Sequence, residues 1–219
     1  MTPTRRRFLL GGVAALGAVT LTGACRGGRG GDEGGDADRA GDEADGADEP
    51  RRTGDFAVVA LVASLENLVV RTYTEALDAV AAGDIEDVAP AVTTFAERAL
   101  AHHSEHAAGW NRLLVEAGQQ PVQGVNRTVR AALADPGLAA VRKGPGLTTF
   151  VLGLEGILAA TYLDGLVRLQ DRGAVALAAS IRPVELQHAA VLNLFLGQYP
   201  VPDAFTSVEG ARPITDRIG

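Results

Sequence analysis

Residues 99–110 read ALAHHSEHAAGW and hold His102, His103 and His106, three of the four histidines in a chain of 219 residues. The fourth, His188, stands in VELQHAAV, residues 184–191. Any polar side chain serves a solvated helix face, so imidazoles gathered into a turn and a half of helix ask for a chemical cause. Residues three apart on a helix share a face. His103 with His106, and Glu185 with His188, therefore each present two ligand atoms to one side. Val92, Phe95, Ala99, Trp110 and Leu113 continue the stripe on which the first pair lies.

Working outward from these two segments, apolar periodicity predicts four long helices. The first runs from Phe56 to a glycine cap at Gly83, with Val59, Val62, Val69, Leu77 and Val80 on one stripe. The second ends near Ala117, with Asp84 as its N-cap and Pro90 in its first turn or at a kink. The third extends from about Leu147 to about Arg172, and Gly173 separates it from a fourth that ends near Gly197. Pro183 either kinks that last helix or begins a second helical piece. No segment alternates apolar and polar residues as a half-buried strand does. The class is all-α, and a four-helix bundle over residues 55–198 is the natural packing. About 30 residues separate the second and third helices, where a tight turn needs only about 2–8. A connection that long can run the length of a bundle and set the third helix parallel to the second.

The helices echo one another. Glu66 is followed seven residues on by Tyr73 in ENLVVRTY, and Glu155 by Tyr162 in EGILAATY. Each glutamate stands alone in an apolar stripe, Glu66 between Val62 and Val69, Glu155 between Val151 and Leu158. An isolated buried carboxylate costs several kcal/mol unless it is protonated, paired or bound to a cation. At about 1.5 Å of rise per residue, Glu66 and His103 fall within roughly 5 Å in height on either side of the Gly83 turn. Glu155, Glu185 and His188 lie at matching distances from the Gly173 turn. All four helices can thus deliver their polar groups to one layer.

Glutamate-x6-tyrosine on two helices, paired ligands three apart on the other two, and a long connection between them resemble the ferritin-like superfamily. The chain looks most like the ferritin-like domain proteins found behind twin-arginine signals in bacteria. The resemblance implies a ferritin-like four-helix bundle with two iron or manganese ions held by Glu66, His103, His106, Glu155, Glu185 and His188. His103 departs from the pattern, which expects a glutamate there. Three carboxylates and three imidazoles hold ferric ions less firmly than four and two, which makes zinc a credible competitor and one ion an alternative to two. His102 rivals His103 through a face of residues 99, 102, 106 and 109, but the His103 face includes Trp110 rather than Gly109. Glu105 projects elsewhere and is read as a second-layer or solvated residue. Tyr73 and Tyr162 read as core residues with satisfied hydroxyls, with a second-layer or redox role as the alternative, since each lies two turns from its glutamate and within reach of the site.

The ends of the chain carry other information. TRRRF and the uncharged FLLGGVAALGAVTLTGA read as an export signal over residues 1–25, with Arg5, Arg6 and Arg7 similar to a twin-arginine motif. The alternative is a general secretory signal with a basic start. Cys25 is the only cysteine, and in LTGAC it resembles a lipobox, whose acylation would hold the protein at the outer face of the bacterial cytoplasmic membrane. A cleaved soluble protein and an uncleaved N-terminal anchor are the alternatives. Residues 26–54 contain no aromatic or branched apolar residue and read as a disordered acidic tether. Residues 199–219 are rich in turn formers and read as an irregular tail.

Removing residues 1–24 takes away three arginines and no acid, leaving 17 basic and 27 acidic residues and a net charge of −10. That excludes a phosphate-dominated nucleic-acid partner. The partners expected are metal ions and the membrane, with a homodimer allowed; a lipid tether argues against a closed cage. No nucleophile elbow, phosphate loop, CxxC or dinucleotide fingerprint is present. The functions compatible with this reading are metal storage, iron oxidation or peroxide-linked redox chemistry. A metal-free helical scaffold of the cell envelope is the competing one.

Overall fold

Ten consecutive residues of the first helix, Ala57–Glu66, are buried, so this helix is covered on every side. The computed structural model describes residues 52–216 and residue 218. The export segment, the Cys25 lipobox and nearly all of the acidic tether lie outside the described residues. Among those described, helix α1 spans Asp55–Ala82, α2 Pro90–Glu116, α3 Arg127–Val129, α4 Asp135–Ala140, α5 Gly144–Arg168 and α6 Arg172–Phe195. A π-helical turn, Arg130–Ala134, joins α3 to α4. There is no strand among the described residues, only two isolated bridges. The fold is an all-α bundle in which α1, α2, α5 and α6 are the four long helices.

Their directions follow from contacts at both ends. The amide of Glu86, just past α1, donates to the Arg142 carbonyl, and that of Gly144, at the start of α5, donates to the Glu86 carbonyl. At the other end, Asp55 accepts from the amides of Gln170 and Asp171. The end of α1 thus meets the start of α5, and the start of α1 meets the end of α5, so the two are antiparallel. With short reversals between α1 and α2 and between α5 and α6, α2 runs parallel to α5, as the long connection predicted.

That connection also covers α1. Asn67 donates to the Val122 and Gly124 carbonyls, and the Asn126 amide donates to the Ser64 carbonyl. Helix α1 therefore has no solvent side over its first half, which is why its sequence is apolar nearly all round. Both α1 and α5 are apolar enough in length and composition to span a bilayer. Burial within the bundle covers 78% and 50% of their most apolar windows.

Several boundaries differ from the sequence expectation, each for a local reason. Gly83 does cap α1, with φ 84° and its amide turned back to the Ala79 and Val80 carbonyls. Asp84 does not cap α2. Its amide closes the α1 turn, and α2 begins only at Pro90, whose ring presets the first helical φ. Residues 84–89 are needed to reach the start of α5 before the chain reverses. Helix α5 begins at Gly144 rather than Leu147, because Gly144 packs against the loop after α1. It ends at Arg168 rather than Arg172, because Leu169 is extended. Asp171 then caps α6, its Oδ1 accepting from the Gly173 and Ala174 amides at 2.6 and 2.9 Å. Gly173 lies inside the first turn of α6, and the helix continues through Pro183 without a break.

Residues 199–216 form turns and bends without a helix. The Arg212 amide donates to Thr161 of α5, and Arg212 pairs with Asp216, which accepts from Asn126. This end of the chain thereby ties α5 to the long connection.

A Cβ on Gly144 would lie 2.4 Å from the Asp87 carbonyl oxygen. Gly144→Ala is expected to cost about 1–3 kcal/mol in urea unfolding, because backbone must move. Asp171→Ala, which removes only the cap, is expected to cost about 1 kcal/mol. Equal stabilities for the wild type and Gly144→Ala would refute the close approach.

Candidate metal centre

Each long helix delivers its polar groups to one level of the bundle. Glu66 of α1, His103 of α2, Glu155 of α5 and Glu185 of α6 are each 0% exposed. The His106 and His188 side chains are 11% and 6% exposed. His103 lies at the centre, with Nδ1 2.8 Å from Glu66 Oε2 and Nε2 3.2 Å from Glu155 Oε1. His106 Nδ1 is 2.9 Å from Glu185 Oε1 and 3.5 Å from Glu66 Oε1. His188 Nδ1 is 3.3 Å from Glu155 Oε2 and 3.8 Å from Glu185 Oε2. All six residues of the sequence-derived set converge.

They form two overlapping groups of four. One contains Glu66, His103, His106 and Glu185; the other contains His103, Glu155, Glu185 and His188. Within each group one ligand atom per residue lies within 4.8 Å of all the others. Bonds of about 2.0–2.2 Å allow ligand atoms around one ion to stand at most about 4.4 Å apart. Tetrahedral ligand atoms at such bond lengths stand about 3.3–3.6 Å apart, so closing either group on an ion takes side-chain shifts of up to about 1 Å.

The tyrosines bond crosswise. Tyr73 of α1 donates to Glu155 Oε1 of α5 at 2.6 Å, and Tyr162 of α5 donates to Glu66 Oε1 of α1. Each hydroxyl therefore orients the carboxylate of the opposing helix rather than its own, which the antiparallel pairing of α1 and α5 permits. Trp110 donates its indole N–H to the Tyr162 oxygen at 2.8 Å and is fully buried. The place of Trp110 on the His103 face is the sequence signal that it reaches this layer.

Burial raises the proton affinity of the carboxylates, while the imidazoles oppose it. Burial loses for Glu66 and Glu155: bonding to His103 and His106 lowers the first, and the charges of and bonds to His103 and His188 hold the second well below the usual range. Burial wins for Glu185, reinforced by the charge of Glu66, and its pKa is raised. Burial also works against protonating the histidines, but the carboxylates prevail. His106 is raised to about 9 by Glu185 and Glu66, and His103 and His188 are raised by Glu155 and Glu185. Both tyrosines are pushed well above their usual range, first by burial and then by the facing carboxylates. His103 has an ionised acceptor on either nitrogen, so in the ion-free state it is an imidazolium donating twice. Protons neutralise this layer when nothing else does.

Not every group is satisfied in that state. His106 Nδ1 and both carboxylate oxygens of Glu185 are buried without a hydrogen-bond partner. The 2.9 Å approach between His106 and Glu185 is an ion-pair distance without hydrogen-bond alignment. Unsatisfied buried polar atoms are rare and costly, about 1–3 kcal/mol each. The donor set, nitrogen and carboxylate oxygen in equal numbers with two unsatisfied members, fits a divalent transition metal.

The remaining sequence candidates separate clearly. His102 belongs to neither group; it is half-buried, with Nδ1 2.9 Å from His188 Nε2. Burial and the neighbouring His188 lower its proton affinity. Glu105 is exposed and so lies outside the buried layer. Phe95, expected in the α2 stripe, is half-buried and meets the His188 ring edge-on at 5.7 Å.

The sequence profile of the ferritin-like domain family matches residues 54–198, which covers all four long helices and the whole cluster. The chain belongs to the ferritin-like domain family. No curated protein and no solved structure matches it. In this ferritin-like bundle His103 occupies the position where a glutamate was expected, and it bridges Glu66 to Glu155 instead of adding a fourth negative charge.

The pKa directions fix the pH dependence of the ion-free protein. His106 is raised from 6.5 to about 9, so its contribution is complete below pH 6.5 and disappears as the pH rises through about 9. Glu155 is lowered from 4.5, so its contribution is present above pH 4.5 and disappears on acidification. Thermal unfolding in chelator should therefore peak between pH 4.5 and 6.5 and fall on both sides. A melting temperature that climbs from pH 6.5 to 9 in chelator would contradict the imidazolium pairing.

Proposed function

We propose that this ferritin-like chain binds one or two divalent transition-metal ions between its long helices. In this reading it is an exported protein held by an acylated Cys25 at the outer face of the bacterial cytoplasmic membrane. The observation that carries the metal reading is the convergence of six side chains from all four long helices in one buried layer, with His106 Nδ1 and both Glu185 oxygens lacking an aligned hydrogen bond. Iron or manganese is the favoured ion, with zinc as the competitor that the third imidazole admits. Bound iron or manganese would supply the valence change needed for ferrous oxidation, storage or peroxide disposal.

The chain's own residues divide the remaining work. Glu185 offers one oxygen toward His106 and the other toward His188, and so serves both groups. Tyr73 and Tyr162 hold Glu155 and Glu66 from across the bundle, which fixes the carboxylates before any ion arrives. Burial of Glu66, Glu155 and Glu185 excludes water, so a cation there replaces protons rather than solvent.

A second reading, a metal-free scaffold, draws on His103. Its two bonds join Glu66 and Glu155 without an ion, and three imidazoles match three carboxylates in charge. Elemental analysis of the exported, purified chain beside a Glu66→Ala/His188→Ala double variant separates the two readings. The wild type should carry about one or two equivalents of transition metal, and the variant should lose at least about tenfold in affinity. Equal and negligible metal in both selects the scaffold. Tethering has its own check. Cys25→Ser should move the protein from the membrane fraction to the soluble one, and an unchanged distribution rejects acylation as the anchor.

A further inference from the structure

Of the three imidazoles in the centre, His103 uses both nitrogens inside it. His188 does not. Its Nδ1 faces Glu155 and Glu185, while its Nε2 lies 2.9 Å from Nδ1 of His102, outside both ligand groups. The two rings are within 7° of parallel, with centroids 5.2 Å apart. Phe95 stands edge-on to the His188 ring. A neutral imidazole that gives Nδ1 to a cation carries its proton on Nε2, and the partner of that N–H sets tautomer and ring plane. At this N–H the partner is His102, which must then accept through Nδ1 and carry its own proton on the far nitrogen.

We propose that His102 is a positioning residue for the metal centre: by accepting the Nε2–H of His188, it holds His188 in the tautomer and plane that present Nδ1 as a ligand. The inference rests on the metal-binding reading given above. Its effect is one-sided. His188 belongs to the group with His103, Glu155 and Glu185, and no ring nitrogen of His102 is paired with Glu66 or His106, which complete the other group. His102 is half-buried on α2, so its replacement leaves the packed layer intact.

Co2+ titration of the full chain and of His102→Ala and His102→Asn tests this, with absorption and hyperfine-shifted proton spectra as readouts. In His102→Ala one Co2+ binding step should weaken by about 10–100-fold. The shifted, solvent-exchangeable N–H resonance of His188 should broaden or disappear through faster exchange. His102→Asn, whose Oδ1 can stand where Nδ1 stood, should recover much of both effects; a merely structural residue would not restore the N–H signal. Unchanged affinity and an unchanged N–H resonance in His102→Ala would overturn the inference while leaving metal binding in place. A wild-type chain that takes up no Co2+ would remove the metal-binding reading and this inference together.

Discussion

Three carboxylates with no access to water, brought together at one level of a helical bundle, are the constraint around which this molecule is organised. Glu66, Glu155 and Glu185 would each cost several kcal/mol if buried ionised and alone. Mutual repulsion would add to that. Imidazoles from two facing helices make the arrangement tolerable, and they do so in two ways. As imidazolium ions they balance the charge, and as neutral rings they offer nitrogen atoms to which a cation could bind. The same six side chains thus have a protonated form that is nearly self-satisfied and a deprotonated form whose negative charge a cation would balance. The atoms left over in the first form, on His106 and Glu185, belong to the pair least well served by protons alone.

Around that layer the bundle repeats one device. A tyrosine two turns beyond Glu66 and another beyond Glu155 each reach across to the glutamate of the other helix, so α1 and α5 are locked at this height by a reciprocal pair of bonds. The device is symmetric, but its surroundings are not. Trp110 stands behind Tyr162, and the His103 ring stacks near Tyr73 at 5.6 Å. On the α2 side His103 joins the two glutamates, and His102 continues the chain of contacts from His188 toward the half-buried face of α2. The two groups of four candidate ligands therefore share two members and differ in what supports them.

Much of this was legible in the chain itself. Glu66 and Glu155 were conspicuous because a charge in an apolar stripe is expensive, and because each carried a tyrosine at the same interval. His103 could be chosen over His102 because its helical face ran on to Trp110. What escaped was the identity of contacts between helices. The interval from Glu66 to Tyr73 invites a bond along one helix, but two turns is about 10 Å, too far for it. The partner lies on the antiparallel neighbour. Asp84 looked like a cap because it follows a glycine stop. Yet six residues were needed to carry the chain past the start of α5, and Pro90 took over the beginning of the helix.

Residue spacing alone determined that four helices would each place polar groups on a buried face, and at matching distances from their turns. Those are properties of a single helix, where periodicity and rise per residue convert sequence directly into geometry. Which oxygen meets which nitrogen depended on the direction of α5 and on the rotation of each helix about its axis. Only packing sets those, because they minimise exposed apolar surface over the whole bundle rather than within any one segment. The crosswise tyrosines, the double bonding of His103 and the seat of His102 against His188 are consequences of that global fit, and no local pattern could have specified them.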